Sequence, residues 1–260
     1  MESAPGGNVP GGIALVRFPV AKYEMPRAYY QGHRVMLVKR DGEWCAVVGI
    51  PLEASPGMHA LTIQSGPRKL SYPFKIEPKT YAVQHLVIKD RRKVEPRPAD
   101  LKRIAEEAKI IGRAEAHWRE ADEVPLPLLL PVKGRFSSPF GLRRFINGHE
   151  RNPHSGLDIA AIQGTPIRAA ASGSVVTIGD FFFTGKTVFI DHGQGLITMY
   201  CHMNTMDVGE GRTVERGQRI GTVGMTGRAT GPHLHVSVIL NQTMVDPVFL
   251  LPPLKEPLNK

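Results

Sequence analysis

The chain is 260 residues long and 42% hydrophobic, enough to build real cores, which excludes wholesale disorder. Glycine (27) and proline (22) are abundant and long helical periodicity is nearly absent, which favours a turn-rich, mainly β protein of one large or two small domains. The net charge of +9 is uneven: residues 1–121 hold 20 Lys and Arg against 13 Asp and Glu (+7), and residues 122–260 hold 13 against 11 (+2). Such a basic half either attracts an anionic partner (nucleic acid, acidic lipid or a carboxylate-rich cell wall) or simply aids solubility. No nucleic-acid motif is present and the aromatics are not interleaved with the basic runs, so no nucleic-acid partner is expected.

No stretch approaches the ~18 apolar residues of a membrane span, so no transmembrane segment is expected. The start, Met1 to Gly7, lacks the charged and apolar regions of a signal peptide, so the chain is either cytosolic or lacks a leader already removed. Cys45 and Cys201 fall in different predicted domains, so no disulfide is expected, and no C-x-x-C pair exists.

In chain order, short β runs come first: Arg34–Val38, Trp44–Ile50, His59–Ile63 and Tyr81–Ile88, split by Gly and Pro. They predict a small β-sandwich of immunoglobulin-like type over residues 1–95, with no catalytic constellation. The one good helix candidate is Ala99–Ala121, where Leu101, Ile104, Ala105, Ala108, Ile111 and Ala114 recur at helical spacing and Asp100 is a candidate cap. Val124–Pro131 is too proline-rich for a helix, so residues 96–130 read as a helix plus extended linker. From Phe136 onward Gly and β-branched residues dominate again. They define a second β domain, antiparallel in the expected fold, over 131–253, followed by a tail at 254–260.

Six of the ten histidines lie between His149 and His235. On the strand Leu234–Leu240 alternation puts His233, His235 and Ser237 on one face and Leu234, Val236, Val238 and Leu240 on the other. Two imidazoles on one face of a strong strand point to a metal site. Alternation likewise gives Ile197, Met199, Cys201 and Met203 an apolar face and sends Thr198, Tyr200 and His202 the other way, so Cys201 reads as a buried small hydrophobe. His154 and Asp158 could share a helix face, but Gly156 and Pro153 favour a loop running into the strand Leu157–Ala161. A carboxylate beside imidazoles suits zinc. No H-E-x-x-H occurs, which excludes the helix-borne protease site. His192 and His149 read as turn and loop residues, and His33, His59, His85 and His117 as structural.

Together the segments Ser138–Arg143, His154-Ser-Gly-Leu-Asp158, Gly164-Thr-Pro166, Gly173-Ser-Val175, His192–Gly195, Tyr200-Cys-His202, Gly217-Gln218 and Thr226–His235 resemble the lysostaphin-type (LytM-like) zinc endopeptidases of peptidoglycan. The resemblance runs from about Ser137 to Leu251. It implies one zinc ion per chain, held by His154, Asp158 and His235, with His202 and His233 catalytic outside the ligand set. Zinc would lower the pKa of its water toward ~7, and with no glutamate base the two other histidines would carry the proton transfers. Three further residues are candidate substrate contacts, each with a structural alternative: Arg143 (surface charge), Tyr200 (packing) and Phe182 in the loop 181–185 (core).

The implied activity is hydrolysis of stem-peptide cross-links, of the D-alanine to diaminopimelate type, in the periplasm or cell envelope. A glycine-bridge endopeptidase is the nearest alternative, and a non-catalytic wall-binding or amidase-activating module is the alternative of another class. Peptidoglycan is the expected partner. The N-terminal domain could bind wall, engage a regulatory protein, or cover the groove.

Overall fold

The protein is described by a computed structural model covering residues 7–19, 26–40 and 42–251; the expected tail at 254–260 and the start at 1–6 lie outside the described residues. Six antiparallel strands come first: β1 (Ile13–Pro19), β2 (Arg27–Tyr30), β3 (His33–Arg40), β4 (Glu43–Gly49), β5 (Gly57–Ser65) and β6 (Arg68–Ile76). They form one sheet in the order β1-β4-β3-β2-β5-β6. The β2–β3 turn is Gln31-Gly32 at φ 49 and 84, both left-handed, the geometry that a two-residue hairpin requires and that glycine supplies without strain.

Strand β3 changes partner midway. Its first part pairs with β2 (Val35 opposite Ala28) and its remainder with β4 (Met36 opposite Val47). The sheet therefore folds over at β3, and its two arms close on a common core that includes Val16, Phe18, Tyr30, Leu37, Leu61 and Phe74. The result is sandwich-like, but it is one doubled sheet and not the two separate sheets of an immunoglobulin-like fold.

The expected strand at Tyr81–Ile88 belongs elsewhere. Strand β7 (Val83–Leu86) leaves the N-terminal sheet and is followed by helix α1 (Pro98–Glu115) and strands β8 (Arg135–Ser138) and β9 (Arg143–Ile146). β7 pairs in parallel with β9, Val83 opposite Arg143 and Leu86 opposite Ile146, and β9 pairs with β10 (His149–Arg151). A domain boundary at residue 95 thus cuts through a sheet. The N-terminal unit ends at β6, and β7 is structurally part of the C-terminal half.

Helix α1 ends at Glu115 and not at Ala121, because the residues beyond are taken up by the C-terminal sheet: Arg119 pairs with buried Asp191 (2.7 Å), and Gln194 donates its N–H to the Arg119 carbonyl (2.7 Å). Asp100 does cap the helix, from its third position, accepting from the Arg97 N–H (3.1 Å) while its carboxylate pairs with Arg92 (2.8 and 2.5 Å). Of the predicted apolar positions only Ala114 and, partly, Ile104 and Ile111 are covered; Leu101 is 54% exposed. Among the described residues no helix is long and apolar enough to cross a membrane.

The remaining strands are β11 (Leu157–Ala160), β12 (Pro166–Arg168), β13 (Gly173–Phe181), β14 (Gly185–Asp191), β15 (Ile197–Met206), β16 (Thr213–Val214), β17 (Arg219–Val223), β18 (His233–Leu240) and β19 (Thr243–Val245). The main sheet runs β16-β13-β14-β15-β18-β11-β8, with β12, β17 and β19 at its margins. One face carries Tyr200, Leu234, Val236, Val238 and Leu240 into the main core. The other carries Phe189, Ile197, Met199, Cys201 and Ile239, packed beneath Ala114 of α1.

The two halves are fused. The main core includes Ile13, Met36 and Val47 of the N-terminal sheet. Two side-chain amides also reach across: Asn241 exchanges hydrogen bonds with the Gly49 backbone (2.6 and 3.0 Å), and Gln194 does so with Leu37 (2.9 and 3.0 Å). The linker is anchored as well, with Leu128 buried and bonded to the Leu250 carbonyl (2.8 Å).

His192 is structural, as expected. Its Nδ1 donates to the Ser172 carbonyl (2.9 Å) and its Nε2 meets the Thr198 hydroxyl (2.7 Å), which in turn contacts the Tyr200 hydroxyl (3.0 Å). Burial pushes its pKa down to about 4. The unfolded chain therefore takes up this proton below about pH 6.5 while the folded one does not, so stability present at pH 7 is lost as pH falls from about 6.5 to about 4. We expect wild type to lose on the order of 2–3 kcal/mol more than His192→Gln between pH 7 and 4.5 in denaturant titrations; equal losses would contradict this. A second prediction concerns Cys201, whose thiol burial pushes well above its ordinary pKa. Cys201→Ala should fold, bind metal as wild type does, and lose about 1–2 kcal/mol. A folded variant that no longer binds metal would show that the sulfur takes part in the site.

Candidate metal centre

The site is assembled across three adjacent strands. In the pairing of β11 with β18, Asp158 lies opposite His235; in that of β15 with β18, Cys201 lies opposite His235. Directly paired residues point to the same face, so Asp158, His235 and Cys201 form one row.

His154 enters from the loop before β11. Its backbone is fixed by two hydrogen bonds, His154 N–H to the Leu142 carbonyl (2.9 Å) and Gly141 N–H to the His154 carbonyl (2.8 Å), and its Nδ1 donates to the Pro139 carbonyl (2.7 Å). The Ser138–Arg143 segment is thus the cradle of this imidazole. Gly141 is at φ +81, and a Cβ there would lie 2.1 Å from the Tyr81 ring, so glycine is required.

Three donor atoms converge. His154 Nε2 is 3.0 Å from Asp158 Oδ1 and 2.9 Å from His235 Nδ1, and His235 Nδ1 is 2.8 Å from the same Oδ1. The Pro139 carbonyl can only accept, so it fixes the proton on His154 Nδ1 and leaves a lone pair on Nε2. When His235 Nε2 donates to Ser237 Oγ (2.9 Å), its Nδ1 is likewise a lone pair. Two imidazole lone pairs and a carboxylate oxygen then crowd one buried point, an arrangement a divalent cation relieves. It is the only group of three or more such side chains that could hold a metal among the described residues. Its N, N, O chemistry fits zinc, and the outward bonds to Pro139 and Ser237 orient the ligands.

Burial pushes His154 down to about 4 and His202 to about 3, so both are neutral at pH 7.

His202 and His233 stand beside the cluster. Their Nδ1 atoms donate to the Thr226 and Gly231 carbonyls (2.8 Å each), which leaves both Nε2 atoms to act as bases. Their rings are 4.8 Å apart, and His233 Nε2 is 3.7 Å from Asp158 Oδ1. In a regular strand His202 would share the face of Tyr200, opposite His235. Its φ of +58 breaks the alternation: His202 comes round to the metal side, and Met203 goes into the core with Tyr200. Such a non-glycine residue costs roughly 1–3 kcal/mol.

All five histidine and aspartate candidates are therefore brought together, while the three candidate substrate contacts are not. Tyr200 is fully buried on the far face, its hydroxyl accepting from the Ala170 N–H (2.8 Å). Phe182 is 2% exposed, under Lys93, whose Nζ sits 3.9 Å from the ring centroid and bonds the Phe182 carbonyl (2.6 Å). Arg143 stays away from the donor cluster, paired with Glu150 (2.9 Å) on the wall of a neighbouring cavity. Cys201 lies on the site's face rather than the opposite one, yet stays outside the donor set among Phe189 and Met199.

The arginine that reaches the site is Arg144, bonded to Asp158 Oδ2 (3.1 Å), Ser138 Oγ (3.2 Å) and Gln84 Oε1 (3.3 Å). Adjacent strand residues face opposite ways, so the pair Arg143-Arg144 had to contain one inward member; alternation alone does not say which. Gln84, Ser138, Arg144 and Pro232 help line an open groove of about 250 Å³ that ends at the histidines.

A buried His, Asp, His donor set with two further imidazoles, at the middle of an antiparallel sheet, defines a zinc-type metal centre. The chain belongs to peptidase family M23. The model of that family matches residues 152–247, and the model of the M23 N-terminal domain matches 7–79, which spans the doubled sheet. The crystal structure of a putative M23 peptidase from Pseudomonas aeruginosa is similar at a TM-score of 0.78 and 42% identity, covering 94% of each chain. Sequence relatives include the DD-carboxypeptidase/endopeptidase Mpg of Neisseria meningitidis, 43% identical over 125 residues (48% of this chain, 29% of that protein). Another is the peptidoglycan DD-endopeptidase ShyA of Vibrio cholerae, 43% identical over 109 residues (42% and 25%). The matches span less than a third of the length of these two proteins.

The outward bond of His235 generates a prediction. Ser237→Ala removes its acceptor without adding bulk, and should weaken zinc about 10- to 100-fold in competition with a chromophoric chelator. Gly156→Ala should be worse, since its Cβ would lie 2.7 Å from both His235 Nε2 and Ser237 Oγ. Unchanged zinc affinity in both variants would mean that neither residue orients the ligand.

Proposed function

We propose that the chain is a zinc-dependent endopeptidase of the lysostaphin type that hydrolyses the D-alanine to diaminopimelate cross-links of bacterial peptidoglycan in the periplasm or cell envelope. The observation that carries this is the joint presence of a complete donor set, His154, Asp158 and His235, and two non-ligand imidazoles whose Nε2 atoms are free for proton transfer. The bond assignment is supported by one relative named a peptidoglycan DD-endopeptidase and another named a DD-carboxypeptidase/endopeptidase.

His154, Asp158 and His235 would hold the zinc ion, which when bound would supply Lewis acidity to lower the pKa of water toward ~7 and polarise a carbonyl. The rest falls to the chain's own groups. His202 and His233, with their Nδ1 protons committed to backbone carbonyls, can take a proton at Nε2 from the attacking water and return it to the leaving amine. Arg144 holds Asp158 from the side away from the cluster, fixing which carboxylate oxygen points inward. The groove leads an extended peptide past them. The intact set favours catalysis over a non-catalytic wall-binding role.

The test is digestion of purified sacculi of defined chemistry with and without chelator. New D-alanine carboxyl ends, lost on chelation and restored by zinc, are expected; release that chelation leaves untouched would overturn the reading. His202→Ala and His233→Ala should each keep about one zinc per chain while losing roughly 10²–10⁴ in turnover. If either substitution empties the site, that histidine is a ligand.

A further inference from the structure

A second cavity, of about 690 Å³, adjoins the metal groove and shares Arg228 with it. Its walls include Arg143, Arg151, Arg228, Glu150, Phe183 and Pro96. Three arginines thus face one glutamate, and that glutamate is already paired with Arg143 (2.9 Å).

Arg151 and Arg228 have no carboxylate partner among the described residues. Arg151 donates from Nη2 to the Val94 carbonyl (3.2 Å), and its buried Nε has no partner. Arg228 lies with its guanidinium carbon 4.5 Å from the centroid of the Phe183 ring, and its backbone N–H donates to the Phe183 carbonyl (2.8 Å). Burial, then the charges of Arg144 and Arg151, push the Arg228 pKa down to about 10. Two partly desolvated cations held close together without an anion are unfavourable, and a bound carboxylate offsets that cost through charge-assisted hydrogen bonds.

The position also matters. Gly227 (φ +73) packs so tightly on Gly185 that a Cβ would fall 2.4 Å from its nitrogen, and the neighbouring Thr226 carbonyl holds His202. The loop that orients a proton-transfer histidine therefore fixes Arg228 as well. Resting on the function proposed above, we infer that the Arg151–Arg228 cavity is a subsite for a free carboxylate of the substrate peptide, setting specificity beside the scissile bond.

The experiment uses the full chain and two soluble ligands: a cross-linked muropeptide dimer and the same dimer with its carboxylates amidated. Dissociation constants are measured on chelator-treated protein by calorimetry, and kcat/KM on zinc-loaded protein. Wild type should prefer the carboxylate form by about tenfold or more in both readouts. Arg228→Gln and Arg151→Gln should each bring the ratio close to one, Arg228→Lys should keep part of it, and Arg212→Gln, a change at an exposed arginine lining neither cavity, should leave it intact. Zinc content and thermal melts establish that the variants are folded. The subsite is overturned if amidation does not change wild-type affinity, or if the preference survives both glutamine substitutions. Preferential binding without cleavage would instead overturn the proposed activity and leave the subsite standing.

Discussion

The site depends on strand register. β18 lies between β11 and β15, and the metal row exists because Asp158 and Cys201 both sit opposite His235. Side chains alternate with a period of two, so a one-residue slip would send His235 to the wrong face. What resists the slip is the other face of the same strand. Leu234, Val236, Val238 and Leu240 are all buried, each at roughly 1.5–3 kcal/mol of apolar transfer. Hydrophobic burial on one side of the sheet thus positions the polar donors on the other.

Regular alternation cannot place every catalytic group. The left-handed φ of His202 interrupts the alternation of its strand, and its effect is to bring an imidazole from the Tyr200 side to the His235 side. The N–H of His202 bonds the Thr184 carbonyl and its ring bonds the Thr226 carbonyl (both 2.8 Å), so both neighbours hold it in that conformation. Local strain is concentrated where a side chain must be re-aimed, and the surrounding hydrogen bonds maintain it.

Much of this was legible in the chain itself. The H-x-H alternation before an apolar run, and the glycine and proline around His154, identify the ligand-bearing strand and loop. Tyr200 was not legible in that way: period two groups it with His202, and nothing in the residue types announces the positive φ that separates them. The Phe181–Phe183 run reads equally as groove or core, and the structure divides it: Phe181 packs with Ala114 of α1 and Phe182 lies under Lys93, while Phe183 lines the cavity beside Arg228. Arg144 and Arg228 were missed because an arginine's value depends on which carboxylates lie near it in space. The placement of β7 failed for a similar reason, since its partner strand lies 60 residues further on, Val83 opposite Arg143.

That parallel pairing has a consequence for the chain as a mechanical object. One wall of the metal groove, Gln84, Leu86 and Ile88, is supplied by the connection between the halves, while the opposite wall belongs to the 228–233 loop. Gln194 and Asn241 fix how the N-terminal sheet sits, and the buried Ile13, Met36 and Val47 fuse it to the main core. The wall enters from the preceding domain but is clamped by the one that carries the ligands: β7 is paired with β9, and Asn147 exchanges hydrogen bonds with the Ile88 backbone (2.9 and 3.1 Å), so the gauge of the channel is set by that local splice.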